Sequence, residues 1–185
     1  EKCAEGYRVS SSECISCPTG TTRDAGDDKS GNNTVCDKCA ENYFVSSNQC
    51  QKCPLGTTNA KFDDKSGDDT ECDPTICEVN EYVSSNACVA CDDRRINTAG
   101  DDASGSDTEC DKCAENYYVD SENCLRCPTG TTNVAGDPVD GGNTECGECA
   151  ENYYVSANEC KECPPGTTNV AGDSIEYGNS TCDPI

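Results

Sequence analysis

Twenty cysteines recur at one fixed spacing along this chain, and that spacing leaves few folds open to it. Taken in fours they are Cys3, Cys14, Cys17 and Cys36; Cys39, Cys50, Cys53 and Cys72; Cys77, Cys88, Cys91 and Cys110; Cys113, Cys124, Cys127 and Cys146; Cys149, Cys160, Cys163 and Cys182. Every unit reads C-x10-C-x2-C-x18-C. The step between units is 36 residues three times and 38 once, because four residues separate Cys72 from Cys77 where the other junctions have two. A self-similar period of this kind marks a repeat protein whose units contact only their neighbours. The repeats span 1–36, 37–72, 73–110, 111–146 and 147–185.

The cysteines must hold the fold together, because little else can. Leu, Ile, Val and Phe number 20 in 185 residues, and 13 basic against 36 acidic side chains leave a net charge of −23. Such a chain cannot bury enough apolar surface to fold by collapse alone. Disulfide scaffolds persist in oxidising compartments, so an extracellular or cell-surface location is expected. The chain contains no histidine, which removes Ser/His/Asp and Cys/His nucleophile arrangements and imidazole-bound zinc. No catalytic residue is expected, and the chain is read as a non-enzyme. The negative charge repels nucleic acid and anionic lipid, and no apolar run approaches the roughly eighteen residues of a membrane span. Membrane attachment is therefore expected only through a lipid anchor not visible in this chain. Any signal peptide is expected to have been removed or to lie outside it.

Spacing favours one cysteine frame without proving it. Closing each unit first to second and third to fourth pairs all 20, as Cys3–Cys14, Cys17–Cys36, Cys39–Cys50, Cys53–Cys72, Cys77–Cys88, Cys91–Cys110, Cys113–Cys124, Cys127–Cys146, Cys149–Cys160 and Cys163–Cys182. The irregular junction then lies outside every loop. An interleaved frame strands Cys3 and Cys163 and encloses the irregularity. The run Cys14, Cys17, Cys36, Cys39 also has the spacing of a four-cysteine zinc site, the strongest competitor. That frame strands Cys3, Cys160, Cys163 and Cys182. A redox role for the C-x2-C pairs lacks the helix on which such pairs depend.

The words between the cysteines repeat as well. Val9, Val45, Val83, Val119 and Val155 stand two residues after Tyr7, Tyr43, Glu81, Tyr117 and Tyr153. Tyrosine and valine then share one face of a short strand, read as the packing seam of each unit. Words such as Cys17-Pro18-Thr19-Gly20 carry proline second and glycine fourth, which predicts a type I turn. No segment has helical periodicity. The acidic stretches, including Asp27, Asp28, Asn32 and Asn33, offer hard oxygen ligands for calcium but lack EF-hand order, so a solvated acidic face is the expectation. No cofactor is expected. Asn32 and Asn179 begin the sequons Asn-Asn-Thr and Asn-Ser-Thr and are candidate glycosylation sites.

The phrase from Cys149 to Asp173, CAENYYVSANECKECPPGTTNVAGD, repeats with variations along all five units. It resembles the cysteine-rich tandem repeats of ciliate surface immobilization antigens. The resemblance implies an abundant coat protein, held by a glycosylphosphatidylinositol anchor and recognised by antibodies that immobilise the cell. More distantly, the C-P-x-G-T word resembles tumour-necrosis-factor-receptor cysteine-rich modules, which bears on fold more than function. The third unit departs from the pattern, reading Cys91-Asp92-Asp93-Arg94-Arg95-Ile96 without the proline turn, and a bend or specialised contact is expected there.

The expected architecture is an elongated, disulfide-stapled rod of five strand-and-loop modules with almost no helix. The expected function is a structural, acidic, glycosylated surface coat, with neighbouring coat molecules or further copies as partners. A filament subunit and a receptor-like binder of protein or glycan are the alternatives. The binder would use Arg94 and Arg95.

Overall fold

Each cysteine repeat folds around one tight hairpin. The computed structural model describes residues 1–185 and contains no helix. In the first repeat β1 (Tyr7–Ser10) pairs with β2 (Glu13–Ser16), setting Val9 opposite Cys14. The same register places Val45 opposite Cys50, Val119 opposite Cys124 and Val155 opposite Cys160. Glu81–Ser84 and Ala87–Ala90 form the hairpin of the third repeat. The two linking residues have positive φ throughout, as in Ser11 (52°) with Ser12 (64°) and Ala157 (53°) with Asn158 (61°). Two left-handed residues in succession are the signature of a type I′ hairpin turn, whose twist matches that of the strands it joins.

A second, shorter pairing joins each of the first four repeats to the next, and in the fifth it pairs Thr167–Thr168 with Asp183–Pro184. The strand β3 (Thr21–Thr22) pairs with β4 (Lys38–Cys39), and Thr131–Thr132 pairs likewise with Glu148–Cys149. The turn leading into this pairing differs from the expected type I. Thr21 N–H donates to the Pro18 carbonyl at 3.0 Å, so the turn begins at the proline, one residue later than the sequence reading placed it. Gly20 then occupies the third position with φ of 82°, a left-handed conformation that a type II turn requires and a side chain disfavours. In the third repeat the turn begins at Asp92 and Arg94 lacks positive φ. Its Asp92 side chain accepts the Arg94 N–H at 2.9 Å, replacing glycine's freedom with an Asx turn.

All twenty cysteines are bonded, first to second and third to fourth within each repeat, so none is left as a thiolate for zinc. Sequence separations alternate between 11 and 19. Closing loops of that size stabilises a fold by about 3 kcal/mol each in the chain-entropy model. The apolar interior is correspondingly thin: Val9, Val45, Val83, Val119 and Val155 are at most 1% exposed, and the other fully buried side chains of comparable size are cysteines. The tyrosines of the expected seam are only partly buried, and Tyr7 is 43% exposed.

The chain divides into two compact units within the third repeat. One comprises 1–77, 83–88 and 101–107, and the other 78–82, 89–100 and 108–185. The first holds a small core of Cys77, Val83 and Ala103 with Cys88 against it. The second holds Cys113, Val119 and Cys124 with Tyr117 and Val139 packed on them.

Candidate functional site

The acidic loops contain a repeated polar clasp. In the second repeat Val45 N–H donates to Thr70 Oγ1 at 2.9 Å, and that hydroxyl donates to Asp63 at 2.7 Å. Asn59 Nδ2 donates to the same carboxylate at 2.7 Å and to the Tyr43 carbonyl at 3.0 Å. The fourth repeat repeats the arrangement with Val119, Thr144, Asp137 and Asn133. The fifth uses Val155, Ser180, Asp173 and Asn169. In the first, Arg23 stands in for asparagine and donates to Asp27 from Nε at 2.5 Å. The clasp ties the long 18-residue loop to the valine strand. It gives the loop's half-buried polar atoms partners within the repeat, and no buried side-chain polar atom is left unsatisfied.

These bonds act on the carboxylates. Asp27 is held below the ordinary carboxylate value, chiefly by the hydrogen bond from Arg23 and then by that from Thr34. Asp173 is lowered by Ser180 and then by Asn169. A second set of aspartates closes local turns: Asp28, Asp64 and Asp102 each accept the backbone N–H and hydroxyl of the serine two residues on. Those serine bonds are also the leading cause that lowers all three carboxylates.

The candidate calcium ligands face different hydrogen-bond partners. Asp27 faces the clasp, Asp28 its own serine, and Asn33 Oδ1 accepts the Ser11 N–H at 2.9 Å, while Asn32 is exposed. The one grouping of three ligand-type atoms within 4.8 Å of one another is Cys77, Glu81 and Cys88, and its two sulfurs are already bonded together.

Arg94 and Arg95 line an open cavity of about 550 Å³ with Tyr82, Asp92 and Glu109. Arg94 pairs with Asp92 at 3.3 Å at an exposed position. Arg95 donates to the backbone carbonyls of Cys110 and Glu122, both at 3.3 Å, so its guanidinium is engaged with the chain itself.

The two sequons occupy different places. Asn33, Asp69, Asp107, Asn143 and Asn179 each accept the first amide of a hairpin turn, at 2.8 to 3.0 Å, three residues before the fourth cysteine. Asn179 is thus a turn clamp, whereas Asn32 lies one residue before the clamp of its repeat. Neither the clamp nor the clasp was recognised from sequence. The available signal was positional: aspartate always stands ten residues after the third cysteine, and threonine or serine two before the fourth.

Ten bridges in small repeated units mark a protein made for an oxidising, extracellular environment. No family model, curated protein or solved structure matches the chain.

Proposed function

We propose that this protein is a structural component of an extracellular surface coat, of the kind formed by the immobilization antigens it resembles. One observation carries the reading: every cysteine is bridged within a repeat, while the polar loops between them are tied down by their own clasps and turns. Such a chain resists unfolding and proteolysis without a large core, and its charge keeps neighbouring copies apart and hydrated. In this reading the partners are neighbouring coat molecules, attachment is through a glycosylphosphatidylinositol anchor, and no residue has a catalytic role. An antibody to the folded chain should label intact, unpermeabilised cells, and a phosphatidylinositol-specific phospholipase should release the label. Labelling only after permeabilisation would overturn the proposal.

A receptor-like role is favoured by one feature, the arginine-lined cavity of the third repeat in an otherwise acidic chain. Binding of an acidic glycan or peptide that is lost in the Arg94→Ala variant would support it over a purely structural coat.

A further inference from the structure

The two sequons are offset by one residue relative to the clasp, and this offset gives them different chemistry. An N-glycosylation acceptor is read through the hydroxyl two residues after the asparagine. For Asn32 that hydroxyl belongs to Thr34. Its Oγ1 accepts the Val9 N–H at 2.9 Å, and its own N–H donates to the Val9 carbonyl at 2.9 Å. Thr34 is half-buried, and its repeat is closed two residues later by the Cys17–Cys36 bridge. For Asn179 the clasp hydroxyl is Ser180, at the middle position that the sequon leaves free to vary, while Thr181 is exposed and makes no hydrogen bond within the protein. Asn179 itself is exposed and holds only the Ala157 N–H, at 3.0 Å, through Oδ1, so Nδ2 is open to solvent.

We propose that Asn32 accepts a glycan only before the first repeat closes, whereas Asn179 accepts one in the folded protein as well. The donor is a lipid pyrophosphate-linked oligosaccharide. A bond forms between Nδ2 and the sugar's anomeric carbon, the bond from that carbon to the phosphate oxygen breaks, the lipid pyrophosphate leaves, and Nδ2 gives up one proton. The sequons thereby report on folding order: occupancy at Asn32 records how long the first repeat stayed open. The inference rests on the extracellular reading only in that the chain must meet such a transferase, and a purified assay removes that dependence.

The test uses the full unglycosylated chain, either folded or reduced and alkylated, incubated with the transferase and lipid-linked donor and followed by mapping occupancy at each asparagine over time. In the folded chain modification at Asn179 is expected to outpace that at Asn32 by at least about tenfold, because Asn32 must wait for local opening. In the reduced chain the two rates should agree within about threefold, because the clasp is gone. Asp27→Ala, which removes the acceptor facing Thr34, should raise the Asn32 rate in the folded chain and leave Asn179 unchanged. Asn179→Asp keeps the turn clamp, as Asp69 and Asp107 do naturally, and should abolish only the fifth-repeat glycan. Equal rates in the folded chain, or no modification at either site in the reduced chain, would overturn the proposal. Neither outcome touches the coat assignment, which is decided by surface labelling.

Discussion

The junctions at 36–39 and 72–77 solve the same problem with different numbers of residues. In the regular junction one short segment faces both ways. Lys38 and Cys39 pair back to Thr22 and Thr21, Lys38 bridges forward to Asp64, and Cys39 N–H donates forward to the Asp63 carbonyl at 2.8 Å. In the irregular junction the two roles separate. Asp73 and Pro74 pair back to Thr58 and Thr57, while Ile76 bridges forward to Asp102 and Cys77 N–H donates to Asp101. The two extra residues thus divide a backbone segment that the other junctions use twice.

The packing changes with it. At the regular junction a Cβ on Gly20 would come within 2.6 Å of the Tyr43 ring, so the tyrosine of the next hairpin covers the glycine turn. Gly130 and Tyr153 repeat that contact. The third repeat has Glu81 in place of the tyrosine, and its loop backbone at Ala103 and Ser104 covers Gly56 instead. Ala103 is fully buried there, where other repeats carry Lys29, Lys65, Val139 and Ile175. This cover sets the irregular repeat apart from the junctions at Gly20 and Gly130. The missing tyrosine, the alanine and the inserted residues are three parts of one substitution. The lesson is that a repeat tolerates insertion where its backbone pairings to either side can be pulled apart.

Bridge removal is the strongest perturbation and should fall equally on both sides of the comparison. The paired serine variants at Cys39/Cys50 and at Cys77/Cys88 should each lose about 2–5 kcal/mol in denaturant unfolding, because both close loops of one size. A large inequality would mean that the junctions differ in their bridges and not in their pairing. Next come the glycines. Gly56→Ala should cost about 3 kcal/mol or more, since its methyl meets backbone that has nowhere to move, whereas Gly20→Ala should cost about 1–2 kcal/mol because a tyrosine ring can shift. Equal costs would break the distinction between the two covers.

Ala103→Lys, which installs the residue of the second repeat, should destabilise by about 1–3 kcal/mol through overpacking. The reverse change, Lys65→Ala, should stay within about 0.5 kcal/mol. Melting temperatures of the two variants decide this. The smallest effect is that of acid. The clasp carboxylates Asp27 and Asp173 titrate below the ordinary value of 3.8, so the stability they confer is complete above that value and is lost as pH falls through their folded-state values. Exchange protection of the Val9 and Val155 amides should therefore hold steady down to about pH 5 and weaken below about pH 4. Loss of protection near neutrality would contradict the clasp.

Much of this was legible because cysteine spacing is a covalent constraint. The repeat period, the near absence of helix and the buried valines all follow from positions that do not vary between units. The type I′ turns were not read from the sequence, although Asn48, Asn86 and Asn158 supply an asparagine signal in three of them; Ser11-Ser12 and Ser121-Glu122 carry neither glycine nor asparagine. Their left-handed backbones are held by Asn33 and its counterparts some 22 residues away, a long-range bond that local propensity does not register. The proline turn was placed one residue early for a related reason: proline suited the second position, but the glycine's positive φ set the register. The acidic loops read as solvent because charge dominates their composition. One aspartate in each nevertheless faces inward, marked only by its constant distance from a cysteine.

Five repeats each close on themselves through two bridges, and non-reducing peptide mapping after alkylation in chelator would read that pattern bond by bond. The predicted result is no alkylated thiol, with Cys3 joined to Cys14, Cys17 to Cys36 and the same pattern in every repeat through Cys163 and Cys182. Thiols that alkylate once metal is withdrawn, or bridges that join Cys14 to Cys36 and Cys17 to Cys39, would contradict it.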